Sequence, residues 1–197
     1  MDSLDSVALK DMSNRMNSIK SSGGPLICVE SELAQSWLGV RGNSILKGPD
    51  RVYSSDYERA CRVPDYVGKV ALENRSALIL GDMPLETLIW SLPDQLPRIV
   101  RVFYADPGVD VTKVLESTQE LDFTSPIELT EVDIGSVRMV VFDSAIPGKD
   151  VGNMYVSFEL SPGPYSVFTK RFQPDDRTSV LAHKFERGKP SRGVAGP

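Results

Sequence analysis

Residues 21–39 have the sequence SSGGPLICVESELAQSWLG. They are the first part of a longer segment, residues 21–92, around which the rest of the chain is organised. The Gly-Gly-Pro turn signal predicts a chain reversal, and the apolar run over residues 26–29 predicts a short strand directly after it. Ser31 then precedes apolar residues at helical spacing. This pattern predicts a short helix that is capped by Ser31 and ends at Gly39.

Three further elements are predicted before residue 92. Residues 56–62 form one or two helical turns with Ser55 or Asp56 as the cap, and residues 66–80 form a β-hairpin. The Gly-Asp-Met-Pro sequence before residue 85 is a helix-entry signal, so residues 85–92 are predicted to be an amphipathic helix. Trp90 falls off the apolar stripe of that helix, which makes it a candidate exposed aromatic contact; core packing is the alternative.

The second half of the chain is mostly strand in pattern. Residues 99–104 form a strand, Asp110 caps a helix that runs to Leu121, and residues 127–134 carry acids on both faces, as expected of an exposed edge strand. Four more strands follow, and the last three are predicted to form an antiparallel meander. They cover residues 137–142, 154–160, 165–172 and 179–185.

These elements predict an α+β fold, with a mainly antiparallel sheet and about three to four helices packed on it in a single domain. Residues 1–20 are predicted to be a flexible arm or a frayed helix, residues 21–186 the domain and residues 187–197 a disordered tail. Residues 40–55 read as an irregular loop and are a candidate insertion or binding loop.

Composition limits the classes of function. The chain has 197 residues, of which 41% are hydrophobic, and no apolar run reaches the roughly 18 residues that cross a bilayer. The first 20 residues lack the features of a secretory signal, and the two cysteines have no metal or disulfide spacing, so the protein is expected in the cytoplasm. With a pI near 5.0 and no basic stripe, nucleic acid is not expected as a partner.

The acidity is concentrated in one segment, which we call the acidic band. Residues 105–133 carry eight acids against Lys113 alone. Such a segment can meet a basic partner and speed the encounter, although a solvated surface that maintains solubility is the competing interpretation.

Catalysis is not predicted. The single histidine, His183, lies in the alternating pattern of the last strand, without a second histidine, a cysteine pair or a nucleophile-elbow motif. It is predicted to be a half-exposed strand residue. No cofactor and no metal are expected.

An ordered set of short motifs resembles the immunity protein 21 family of bacterial polymorphic toxin systems. The resemblance covers roughly residues 21–185 and begins with the Ser-Gly-Gly-Pro turn and the Trp-x-Gly pair. It continues through Asp-Tyr-x-x-Ala-Cys at residues 56–61 and Leu-Ile-Leu-Gly-Asp at residues 78–82, and a later echo is Phe-Glu-Leu at residues 158–160. The resemblance implies that eight residues at the family's motif positions define the fold and do not mark a contact with the toxin. These residues are Gly23, Gly24, Pro25, Trp37, Gly39, Tyr57, Gly81 and Asp82.

The resemblance implies an α+β protein that neutralises a cognate toxin domain by binding it. The free protein is expected to be a monomer. The acidic helix and the candidate exposed tryptophan are then the predicted contact residues: Trp90, Asp110, Glu116 and Glu120. A housekeeping interaction or small-molecule-binding domain unrelated to toxins is the alternative. A hydrolase that uses His183 ranks last.

Overall fold

A computed structural model describes residues 18–45, 54–81, 83, 85–118 and 121–188. Within these residues the chain forms eleven strands, all paired antiparallel, and only two short α-helices. The predicted α+β fold with three to four packed helices is therefore wrong, and the architecture is mainly β. Strands β1–β11 cover Ser18–Ile19, Leu26–Glu30, Val67–Leu72, Arg75–Leu80, Glu86–Trp90, Arg98–Ala105, Glu128–Ile134, Arg138–Asp143, Val156–Glu159, Gly163–Asp175 and Thr178–Arg187; helices α1 and α2 cover Asp56–Cys61 and Val111–Ser117.

The strands form two sheets. The six-stranded sheet has the order β1-β5-β6-β11-β10-β7, and the five-stranded sheet has the order β3-β4-β2-β8-β9. An aromatic contact joins the two sheets, because the ring centroid of Phe185 on β11 lies 5.5 Å from that of Phe158 on β9. The inner faces of the sheets therefore share one apolar core, as in a β-sandwich.

Short helices and loops cover the outer faces of the sandwich. On the six-stranded sheet, α2 and the loop after it contribute Leu115, Leu121 and Phe123 to a second apolar cluster with side chains of β5, β6 and β11. On the five-stranded sheet, Val63 after α1 approaches the backbone of Gly68 in β3. Because both faces of the central strands are covered, β2 is buried along its whole length.

Two predicted helices are wrong. Residues 31–41 contain turns and the 3₁₀ segments Ala34–Ser36 and Gly39–Arg41, without a Ser31-capped α-helix. Residues 86–90 are strand β5, which lies between β1 and β6 and is buried on both faces. A strand covered on both faces carries a nearly continuous apolar run, and such a run also satisfies helical spacing.

Trp90 is buried, not exposed, because its strand belongs to the sheet. Its side chain is only 4% accessible and lies in the cluster formed with Leu121 and Phe123. The guanidinium of Arg98 lies 4.9 Å from the centroid of its ring. The predicted exposed aromatic contact at Trp90 is therefore wrong.

Several local predictions are confirmed. Helix α1 begins with a capping box in which Ser55 Oγ accepts from Glu58 N at 3.1 Å, and Asp110 caps α2. The hairpin β3–β4 is present, and β7 is an edge strand.

Two other predictions are wrong. Helix α2 ends at Ser117 and not at Leu121, and the last three strands do not form a meander, because β9 pairs with β8 in the other sheet.

The ends of the predicted domain are described only in part. Ser18 and Ile19, within the predicted N-terminal arm, pair with Leu88 and Thr87 as strand β1. Residues 1–17, the middle of the predicted 40–55 loop and residues 189–197 lie outside the described part of the chain. None of the described helices is long and apolar enough to span a membrane.

Candidate partner-binding surface

The tryptophan of the Trp-x-Gly pair holds two loops together. Trp37 is fully buried, and its Nε1 donates to the carbonyl of Ser144 at 2.8 Å. The Ser144 hydroxyl in turn donates to the carbonyl of Pro25 at 2.6 Å, and Gly148 N donates to the Trp37 carbonyl at 2.8 Å. The Gly-Gly-Pro turn, the Trp-x-Gly pair and the loop after β8 therefore form one junction, which we call the Trp37 junction.

The glycines of the motifs allow close backbone approach. Gly39 has φ of 55°, and a Cβ built on it would lie 2.4 Å from the carbonyl oxygen of Ala145. A Cβ on Gly24 would lie 2.4 Å from the hydroxyl oxygen of Tyr57. The positive φ of Gly39 favours glycine, and the close approaches at both positions leave no room for a Cβ atom unless a neighbour shifts.

The other predicted motif positions lie around the same core. Gly23 has φ of 137° in the turn before β2, and Gly81 N donates to the carbonyl of Tyr66 at 2.9 Å after β4. Asp82 lies outside the described residues. The described motif residues thus contact the chain itself, which fits the fold-defining role that the sequence assigned to them as a prediction.

Asp56 supports this region in a way that the sequence did not reveal. Its buried carboxylate accepts from Leu38 N and Ser44 N, both at 2.9 Å, and from Arg59 Nη1 at 2.7 Å. A buried carboxylate is stable only when such donors surround it. In the sequence Asp56 resembles an ordinary helix cap, because its loop partners are not adjacent to it.

His183 lies in the interior of the sandwich. It is fully buried, and the prediction of a half-exposed residue is wrong. Its Nδ1 lies 2.8 Å from Thr169 Oγ1, and burial, assisted by the positive charge of Arg101, lowers the pKa of its imidazole to about 3. The ring is neutral at pH 7 and shielded from solvent, an environment that suits a structural residue.

Arg101 is a further buried polar residue near His183. Its Nη2 donates to the carbonyls of Gly81 and Met83 at 3.0 and 2.6 Å, and burial lowers its pKa to about 10. Across the described ranges, no group of three or more histidine, cysteine or acidic side chains is arranged to hold a metal ion. Arg101 thus holds the chain after β4 through its backbone carbonyls, whereas His183 contacts the side chain of Thr169.

Part of the charge of the acidic band is matched within the fold. Lys113 follows Asp110 on α2, and three bases from distant strands and turns supply the other partners, so the band is less acidic in the fold than in the sequence. The ion pairs are Asp106–Arg177 at 3.1 Å, Asp110–Lys113 at 3.3 Å, Asp122–Lys170 at 3.7 Å and Asp133–Arg75 at 3.6 Å.

Hydrogen bonds keep these exposed carboxylates ionised. The backbone N–H and then the ammonium of Lys113 lower the pKa of Asp110, and the backbone N–H of Thr124 lowers the pKa of Asp122. Glu128 is used differently, because its carboxylate accepts from Tyr66 N and Val67 N, both at 2.9 Å. It ties the start of β7 to the start of β3.

Two acids of the band remain exposed and form no ion pair within the described residues, namely Glu116 on α2 and Glu131 on β7. Of the predicted contact residues, Asp110 and Glu116 lie at the surface on α2, and Glu120 falls outside the described chain. With Trp90 buried, the predicted acidic helix and aromatic contact do not form one surface.

An uncovered part of the six-stranded sheet lies beside these acids. The outward side chains of β7 are Leu129, Glu131 and Asp133, and their register partners on β10 are Phe168, Ser166 and Pro164. We call these six residues the β7 face. Leu129 is 55% accessible, and Ile127, just before the strand, is 51% accessible.

A recess of about 570 Å³ lies at one end of the β7 face. Its walls include Glu131, Asp133, Pro164 and Ser166, and Lys69 of β3 lies on the other side. The sequence did not predict this surface. Its only signal was the pair of exposed apolar positions in an otherwise acidic edge strand.

Comparison with known proteins gives the family. The family model described as Immunity protein 21 matches residues 17–178, which include the Trp37 junction, α2 and the whole of β7. The chain belongs to the immunity protein 21 family. The resemblance seen in the motifs is thereby confirmed. No curated protein and no solved structure matches the chain.

Proposed function

We propose that this protein is an immunity protein that binds a cognate toxin domain and neutralises it without catalysing a reaction. The observation that carries the proposal is the family match over residues 17–178, which spans both sheets of the sandwich and not a single motif. The activity proposed is stoichiometric inhibition, and the partner proposed is a protein. Neither a cofactor nor nucleic acid is needed for it.

The distribution of side chains supports binding as the mode of action. The one imidazole of the chain is enclosed in the core beside Arg101, where no substrate reaches it. The motif glycines and Trp37 are occupied by contacts within the fold. Contact with a partner is therefore left to exposed side chains, among which those of α2 and β7 come from one continuous acidic segment.

The test is co-expression with the toxin domain encoded beside the gene, in a host that the toxin kills. We expect growth to be rescued, and the two purified proteins to form a one-to-one complex in size-exclusion chromatography. A matched control is the Trp37→Ala variant, which should lose rescue because it loses the junction that holds the fold. Failure of the wild-type protein to bind or to rescue would contradict immunity and favour a binding domain unrelated to toxins.

Salt titration of the same complex tests the role of charge. If the acidic band guides the encounter, raising the ionic strength should slow association much more than it speeds dissociation. An association rate that does not respond to salt would remove the acidic band, including Asp110 and Glu116, from the proposed interface.

A further inference from the structure

We propose that the β7 face is the surface that contacts the toxin domain, and that the partner brings an apolar side chain to Leu129 and a basic side chain to Glu131. This inference rests on the proposed function and assigns it a place on the fold. The proposed binding partner is a protein surface with basic residues around an apolar centre.

The apolar centre is the first argument. Leu129 and Ile127 expose about half of their side-chain surface, and Phe168, the register partner of Leu129 on β10, is only partly buried. Adjacent exposed apolar residues within a polar surround have the composition of an interface centre. Elsewhere in the described chain, the exposed large apolar residues, such as Val40, Tyr104 on β6 and Val137, do not lie within two positions of one another in the sequence.

The charge around that centre is the second argument. Glu131 lies next to Leu129 on the same face and forms no ion pair within the residues described, so its negative charge faces solvent. Asp133 adds a second carboxylate, which Arg75 approaches only to 3.6 Å while remaining partly exposed. Potentials of this kind select a partner of opposite sign and speed its encounter.

The recess supplies the third argument. A concavity of about 570 Å³ has room for a long side chain, and among the described residues its lining carries the carboxylates of Glu131 and Asp133 against the single ammonium of Lys69, so its net charge is negative. Lysine and arginine suit such a site, because their aliphatic stems pack on apolar walls while their charged heads reach the carboxylates. Interface energy concentrates where an anchor enters a pocket, so this recess is expected to hold the basic anchor of the partner.

The experiment measures the affinity of the purified full-length protein for the purified toxin domain by calorimetry. The variants Leu129→Ser and Glu131→Lys should each weaken binding by about tenfold or more, as expected for central interface residues. Two matched controls lie on other parts of the surface. Met154→Ser removes a side chain that is 45% accessible just before β9, and Glu159→Lys reverses an exposed charge on β9, which lies at the edge of the other sheet opposite to β3; both should bind like the wild type.

Two further measurements separate a loss of binding from a loss of folding. Melting temperatures should match the wild type for all four variants, because each replaced side chain is exposed. Amide hydrogen exchange over residues 127–133 should slow in the complex, which tests the β7 face without any substitution. If the wild type binds but the Leu129 and Glu131 variants bind equally well, the β7 face is wrong and immunity stands. If the wild type does not bind, the proposed function itself fails.

Discussion

Lowering the pH from 7 to 5 should destabilise this protein through His183. In the fold the imidazole is fully buried beside Arg101, and its pKa is lowered to about 3. In the unfolded chain it returns to about 6.5. Between these values the unfolded chain binds a proton that the folded protein does not bind, so the free energy of unfolding decreases as the pH falls below about 6.5.

The size of the effect follows from proton linkage. Each pH unit in this window changes the free energy of unfolding by about 1.4 kcal/mol per proton. Between pH 6.5 and pH 5 the contribution of His183 is therefore about 2 kcal/mol. The folded imidazole stays neutral over this range, because pH 5 is well above its pKa in the fold.

Urea unfolding at pH 7 and at pH 5 measures this term when the wild type is compared with His183→Asn. Asparagine retains a polar group near Thr169 Oγ1, which lies 2.8 Å from Nδ1 in the wild type, but it does not titrate. The carboxylates are common to both proteins, and their titration cancels in the comparison. We expect the wild type to lose about 2 kcal/mol more than the variant. Equal losses in the two proteins would refute a buried, neutral His183.

Three further predictions test the Trp37 junction and the core. Trp37→Ala should lower the free energy of unfolding by about 3–5 kcal/mol in denaturant titrations, because it empties a fully buried site; a loss below about 1 kcal/mol would contradict this packing. Gly39→Ala should cost more than about 1 kcal/mol by the same assay, because alanine is strained at φ of 55° and its Cβ meets the carbonyl of Ala145; an unchanged stability would show that the loop adapts. A thiol reagent should label Cys61, which is exposed, and should label Cys28 only after unfolding, since Cys28 is buried and burial raises its pKa; rapid labelling of both thiols in the folded protein would contradict the position of β2.

Local signals in the sequence predicted local structure well. The hairpin β3–β4 and the cap of α1 depend on residues within a few positions of each other, and the structure contains both. Asp110 likewise caps α2 as predicted. Turn chemistry and capping are decided by near neighbours, so they can be read from the sequence alone.

The errors come from tertiary contacts. Whether residues 86–90 form a helix or a strand depends on whether β1 and β6 flank them, and the spacing of their apolar residues suits both. The wrong prediction that Trp90 is exposed followed from that error, because it assumed that residues 85–92 form a helix. Strand β9 alternates like its neighbours in sequence, but its partner is β8, and nothing local specifies which sheet a strand joins.

The candidate surface was predictable only in part. The acidic band is visible in the sequence. The basic partners of Asp106, Asp122 and Asp133 lie tens of residues away, so the sequence does not show how much of the negative charge is paired within the fold. The exposed face of β7 could not be predicted without the register with β10, which assigns Leu129 and Glu131 to the outer face of the six-stranded sheet, at the edge that α2 does not cover.

The Trp37 junction also sets an order of events during synthesis. Trp37 and Pro25 both depend on Ser144, which lies more than a hundred positions later, and β2 pairs with β8. While the ribosome is still making the first 140 residues, the buried strand β2 lacks one neighbour and Trp37 has no acceptor. Contacts between such distant residues slow folding, and an apolar strand with an open edge invites aggregation. The protein therefore completes its core only after most of its chain has emerged.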